Sequence, residues 1–153
     1  MKYIDTSAFV KYYSEEYAEK GSDRIKEILG RAKQGNEVLI SSVILIPEAT
    51  SVFDKWARLK LLSREDFREL FSIFISDLKQ LMESKGLVII DIDSSLVLNS
   101  IEYIVRHSLA FGDSVHLFTA LSNMEGIEEF ICSDNALIYA AKKEGLIVWN
   151  PEM

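Results

Sequence analysis

A chain of 153 residues that is 48% apolar, with two prolines and seven glycines, has the size of one domain and enough apolar side chain to bury its own core. Its 17 basic and 24 acidic residues leave a net charge of −7, the wrong sign for a protein that coats nucleic acid indiscriminately, although a local basic patch or a bound metal ion can reverse the field at a nuclease site. A single cysteine, Cys132, excludes an internal disulfide, an acid at position 5 with no apolar h-region argues against a signal peptide, and no apolar run approaches bilayer length, so the sequence reads as a soluble, cytoplasmic protein.

Lys2 to Ile4 reads as a first strand. Asp5-Thr6-Ser7 ends it and caps a helix from Thr6 to about Ser14, because these side chains accept from the free N–H groups of a first turn. Glu15-Glu16-Tyr17-Ala18 is a break or turn of helix, and a second helix runs to about Lys33 with Ile25, Ile28, Leu29 and Ala32 on one face. After Gln34-Gly35-Asn36, the stretch Glu37 to Ser41 suits a strand buried on both faces. Ser41-Ser42 and Pro47 mark the next helix, since a proline in a first turn gives up only an N–H that is free anyway. Its buried stripe is Ala49, Val52, Phe53, Trp56 and Ala57, with Glu48 off that stripe near the N-terminus.

Leu61-Leu62 is a connection. Ser63, with Asp66 three residues on, caps a long helix whose buried face is Phe67, Leu70, Phe71, Phe74, Leu78, Leu81 and Met82. Ile73 and Ile75 widen that face, toward either a partner or a neighbouring helix of the same chain. Gly86 closes the helix and Leu87 to Ile90 is a third strand. Asp91-Ile-Asp93 resembles a phosphatase Asp-x-Asp pair, but its downstream context differs and it reads as a strand end and helix cap. The helix that follows carries Val97, Ile101, Ile104 and Val105 on one face. His107 to Gly112 is a connection, with His107 an exposed loop residue, and Asp113 begins a helix with Val115, Leu117, Phe118, Leu121 and Met124. Phe130-Ile131-Cys132 is a fourth strand, with Cys132 as small core packing. Ser133-Asp134 ends it and caps a helix from Asn135 to about Lys143, Gly145 stops that helix, and Leu146 to Trp149 is the last strand. Alternation of strands with helical segments throughout the chain predicts an α/β fold with a parallel sheet and helices on both faces.

Four acids recur in related settings. Asp5 and Asp134 each follow a strand at a helix start, Asp113 opens a helix, and Glu48 lies in the first turn of another. Acids at the carboxyl ends of neighbouring parallel strands project into one crevice. Four carboxylates there repel one another, and a divalent cation relieves the repulsion; oxygen-only donors select Mg²⁺ or Mn²⁺. Two such ions about 4 Å apart suit displacement at a phosphodiester.

The sequence resembles the PIN-domain ribonucleases, in particular the toxin component of VapBC-type toxin–antitoxin pairs. The resemblance is carried by Tyr3-Ile-Asp-Thr-Ser-Ala-Phe-Val10, Ser42-Val-Ile-Leu-Ile-Pro-Glu-Ala49, Gly112-Asp-Ser-Val-His-Leu-Phe-Thr-Ala120, Cys132-Ser-Asp-Asn-Ala-Leu137 and the tail Ala141 to Pro151. It implies a single PIN domain over 1–153, a three-layer α/β/α fold with a central, mostly parallel sheet of about five short strands. It also implies an endoribonuclease dependent on Mg²⁺ or Mn²⁺, with Asp5, Glu48, Asp113 and Asp134 as catalytic and metal-holding residues, and Ser7 or Thr6 orienting Asp5. The expected products are a 5′-phosphate and a 3′-hydroxyl. An RNA substrate, a small antitoxin covering the Phe67–Met82 region and a homodimer complete the expectation. Asn135 stands where the family often has an acid and Ser114 where alanine is usual.

His116, three residues after Asp113, is read as a core histidine of the family pattern in preference to a base. Lys11, Lys55, Arg58, Lys60, Arg64 and Arg68 are candidates for phosphate contacts, but Asp54, Glu65, Asp66 and Glu69 interrupt them. Two other classes compete. A PIN fold that only binds RNA or protein is disfavoured by the presence of all four acids, as a housekeeping RNA-processing nuclease is not. A signalling receiver domain needs paired acids after its first strand and a lysine after its last; Thr6 and Trp149-Asn150-Pro151 stand there instead.

Overall fold

The computed structural model describes residues 1–14 and 20–153. Strand β1 (Lys2–Ile4) leads into helix α1 (Thr6–Phe9), which tightens into a 3-10 turn over Val10–Tyr13. There follow α2 (Ser22–Lys33), β2 (Leu39–Ser42), α3 (Leu45–Arg58), α4 (Arg64–Glu83), β3 (Leu87–Ile90), α5 (Ser94–His107), α6 (Phe111–Ser122), a 3-10 turn at Met124–Gly126, β4 (Glu129–Ile131), α7 (Asn135–Lys143) and β5 (Val148–Trp149). The break expected at Glu15-Glu16-Tyr17-Ala18 lies outside the described residues.

All four strand pairings are parallel, in the order β3-β2-β1-β4-β5. The chain therefore builds outward from β1 through β2 to β3, then returns to lay β4 against the other side of β1. That reversal is a topological switch point, and it opens a crevice at the carboxyl ends of β1 and β4.

The pleat sorts the core into two layers. Tyr3, Ile40 and Phe130 form one row across β1, β2 and β4 and pack with Leu117, Ala120 and Leu137 of α6 and α7; the Tyr3 and Phe130 rings stack with centroids 5.2 Å apart. Ile4, Leu39 and Ile131 point the other way, toward Ile25, Phe53 and Phe74 of α2, α3 and α4. This is the three-layer α/β/α arrangement expected from the alternating pattern. Gly86 lets β3 start beside α2, since a Cβ there would sit 2.0 Å from the Ala32 carbonyl oxygen.

Several boundaries differ from the sequence expectation. Helix α3 begins at Leu45, two residues before Pro47, with Ile44 in the cap position and no side-chain cap bond. Pro47 still lies among the first N–H groups that lack a helical partner, so it costs nothing. Helix α6 begins at Phe111, placing Asp113 inside its first turn. Ser63 and Asp93 are N-caps, accepting from Asp66 N–H at 3.0 Å and Leu96 N–H at 2.8 Å.

The outer helices depart most. On α4 only Phe74, Leu78 and Leu81 are fully buried; Phe71 and Met82, expected inside, are exposed, as is Ile73 at 54%, whereas Ile75 packs on the core. On α5 only Ser100 is buried, and Ile101 and Val105 face outward with Leu98. His107 is not an exposed loop residue. It ends α5, and its Nε2 meets Glu144 Oε1 at 2.7 Å beside Arg106.

Candidate functional site

Asp5 is 2% exposed at the end of β1 and holds its place through its neighbours. Its Oδ1 accepts the Ala8 N–H at 3.0 Å, so it is the N-cap of α1. The Ser7 hydroxyl donates across both oxygens at 2.9 and 2.8 Å, and the Cys132 thiol lies 3.3 Å from Oδ2. Ser7 Oγ in turn accepts the Ser133 N–H at 3.0 Å, tying the turn after β4 to the one after β1. Burial pushes the Asp5 carboxyl above its ordinary value, against the charge of His116 and the hydrogen bonds from Ala8, Ser7 and Cys132. Burial and the Asp5 charge also push the Cys132 thiol up, which keeps it a neutral donor.

Glu48, in the first turn of α3, is held as firmly. Thr6 Oγ1 donates to its Oε1 at 2.7 Å, and His116 Nε2 reaches the same oxygen at 2.7 Å. A carboxylate only accepts, so Nε2 carries the proton of that bond. His116 is 1% exposed, and its Nδ1 lies 2.8 Å from the Tyr3 hydroxyl. A buried chain thus runs from Tyr3 on β1 through His116 on α6 to Glu48 on α3. Burial would raise the Glu48 carboxyl, but the hydrogen bond and charge of His116 and the Thr6 bond outweigh it and leave the group below its usual value. Gly112 completes the fit: a Cβ there would stand 2.1 Å from Glu48 Oε2.

Asp113 sits one residue beyond Gly112. Its carboxyl is raised to about 6, first by burial and then by the charges of Asp134, Asp5 and Glu48, with His116 opposing. The three other acids named there are those singled out in the sequence, so all four share one electrostatic neighbourhood. Asp134 caps α7, its Oδ1 accepting the Leu137 N–H at 2.9 Å. Among the described residues, no three His, Cys, Asp or Glu side chains stand close enough to chelate an ion as placed. The donor set nevertheless suits a hard cation: it is all oxygen, and the charges of Asp134, Asp5 and Glu48, which add to burial in raising the Asp113 carboxyl, are ones that positive charge would offset.

The supporting side chains are divided differently from the sequence expectation. Of the two hydroxyls, Ser7 is the one that orients Asp5, while Thr6 turns to Glu48 and to His116 Nε2 at 3.0 Å. Cys132, read as small core packing, touches the Asp5 carboxylate, and Tyr3, given no role beyond the first strand and its motif, anchors His116. A polar tip on a strand residue that faces the core was the available signal for Tyr3. Of the basic candidates, Lys11 is buried and paired with Glu152 at 2.6 Å, and Arg58 and Arg64 both bind Asp54. Among the described residues no helix is long and apolar enough to cross a membrane.

Comparison with known proteins gives the arrangement a family. Eleven chains of solved structures match, among them the crystal structure of PAE2754 from Pyrobaculum aerophilum, with a TM-score of 0.58, 17% identity and coverage of 97% of this chain and 83% of that one. At that identity the likeness speaks for the fold. Among curated proteins none matches. The PIN domain model matches residues 2–143, a span that takes in four of the five strands and all four acids. The chain belongs to the PIN domain family, whose members are generally nucleases dependent on divalent metal.

Proposed function

We propose that the protein is a metal-dependent endoribonuclease of the toxin type, in which Asp5, Glu48, Asp113 and Asp134 hold Mg²⁺ or Mn²⁺ at the mouth of the β1/β4 crevice. The observation that carries this reading is the placement of the four acids: Asp5 and Asp134 at the helix starts after the neighbouring strands β1 and β4, and Glu48 Oε2 against Gly112, the residue before Asp113. A bound divalent cation supplies positive charge for the phosphate and for the water that displaces the leaving oxygen. The chain's own residues prepare the place. Ser7, the Ala8 N–H and Cys132 fix both oxygens of Asp5, and Thr6 and His116 fix one oxygen of Glu48 and leave Oε2 turned toward Gly112. Fixed oxygens lose little freedom when a cation or substrate arrives.

The toxin assignment rests on the family resemblance together with the exposed apolar side chains Phe71, Ile73 and Met82 of α4, where the apolar helix of an antitoxin would lie. The same surplus apolar surface on α4 and α5 suits a homodimer. The test is cleavage of a labelled RNA pool by the wild type and by Asp113→Asn, with Mg²⁺ or Mn²⁺ and with chelator. Cleavage that requires both metal and Asp113 is expected; equal behaviour of the two proteins would defeat the reading. Growth arrest on expression alone, relieved by the gene beside it, is expected of a toxin, and high-yield harmless expression would leave a housekeeping nuclease.

A further inference from the structure

The crevice gathers four acids, and the chain carries −7 overall, so an RNA strand needs a cationic foothold elsewhere. One groove supplies it. A cavity of about 490 Å³ runs along the free edge of β5, between α7 and the segment after Trp149, and is lined by Arg24, Asn135, Ile138, Lys142, Trp149 and Asn150 among others. Its position ties it to the crevice. Asn135 directly follows Asp134, and the Trp149 carbonyl accepts the N–H of Cys132, whose thiol touches Asp5.

The lining is of the right kind for an unpaired nucleic acid strand. The Arg24 guanidinium lies 5.8 Å from the centre of the Trp149 ring and is held by the carbonyl oxygens of Pro151 and Met153. Among the described residues neither Arg24 nor Lys142 is paired with a side-chain carboxylate, in contrast to Lys2, Arg31, Arg58, Arg64 and Arg106. Lys142, and an Arg24 guanidinium held by main-chain oxygens over a part-exposed indole, stand with two asparagines to make a surface on which a base stacks while its phosphates meet charge. The volume is on the scale of a site for one small ligand, which fits a splayed nucleotide and not a duplex.

We infer that this groove seats the single-stranded RNA flanking the cleaved bond, with Trp149 as stacking platform and Lys142 and Arg24 as phosphate contacts. The inference rests on the ribonuclease reading. Its test separates the two: binding of a labelled single-stranded RNA, with chelator present to prevent cleavage, at several salt concentrations. The proteins are the wild type, Lys142→Ala, Trp149→Leu and, as a control on α4 beside the opposite sheet edge, Lys79→Ala.

Lys142→Ala should weaken binding and lower the salt slope by about 0.7, the value for one phosphate contact on a single strand. Trp149→Leu should weaken it roughly tenfold with the slope unchanged. Because Trp149 also packs on the core, its far-ultraviolet dichroism and Tm are checked, and Lys142→Ala carries the test if that variant unfolds. Lys79→Ala should bind as the wild type does. If the wild type binds RNA and Lys142→Ala binds equally with the same slope, the groove assignment falls and the ribonuclease reading stands. If double-stranded RNA or a polyglutamate peptide competes as well as the single strand, the assigned ligand is wrong. If the wild type binds no RNA, both readings fall together.

Discussion

The two walls of the crevice use the same chemical group in opposite ways. On the wall formed by β1 and α3, Asp5 and Glu48 are locked: each accepts from at least two side chains of the surrounding elements, and Asp5 also caps a helix. On the wall formed by α6 and the turn after β4, Asp113 is governed by burial and by the charges it faces, and Asp134 commits one oxygen to a backbone N–H. Locked carboxylates define a position; the Asp113 carboxyl, raised to about 6, responds to whatever charge arrives. The locked wall depends on exact fit, so substitutions that disturb it should cost most.

Among substitutions that leave all four acids in place, the largest effect is expected from Gly112→Ala, because the added methyl would meet Glu48 Oε2 at 2.1 Å and push the carboxylate out of place. Metal-dependent RNA cleavage should fall about a hundredfold, the usual cost of an ångström of misplacement, while circular dichroism shows the fold retained. Wild-type turnover in that variant would show that Glu48 has no fixed role. Ser7→Ala removes the hydroxyl that spans both oxygens of Asp5 and accepts from Ser133 N–H. A loss of about ten- to a hundredfold in metal affinity or activity is expected, as for other residues that orient a ligand, and calorimetry with Mn²⁺ reads it directly.

A smaller effect sharpens the contrast from the other wall. The Asp113 carboxyl is higher in the fold, at about 6, than in an unfolded chain, at 3.8, so the folded state binds the extra proton between those values. Its ionisation therefore costs stability fully above about pH 6, and the cost fades as pH falls toward 4. Metal-free Asp113→Asn should accordingly melt a few degrees above the wild type at pH 7.5, with the gap closing as the pH is lowered through 6. A wild type that melts higher than the variant at pH 7.5 without metal would mean that Asp113 is stabilised in its charged form.

Much of this was legible from residues alone where the physics is local. Helix caps at Asp5, Ser63, Asp93 and Asp134 follow from side-chain chemistry within three residues, and strand–helix alternation is enough for a parallel sheet. What the sequence left out is long-range. Tyr3 and His116 are 113 positions apart, and nothing near either predicts their bond. The strand order 3-2-1-4-5, which makes the crevice, likewise depends on which layers can cover which faces. On α4 and α5 the apolar periodicity shows a stripe but not what covers it, which is why Phe71, Met82, Ile101 and Val105 fall on the expected packing faces and yet lie exposed. Thr6 and Ser7 are chemically near-equivalent neighbours, and only the turn of α1 sends one to Glu48 and the other to Asp5.

The central claim is that four acids from β1, α3, α6 and the end of β4 form one cation site. Titration calorimetry of Mn²⁺ at pH 6, in two buffers of different ionisation enthalpy, tests it most directly. Metal needs deprotonated ligands, so binding should release protons from the half-titrated Asp113 carboxyl, and Asp113→Asn should lose both the proton release and most of the affinity. Mn²⁺ binding that is equal in the two proteins, or the absence of binding to the wild type, would contradict it.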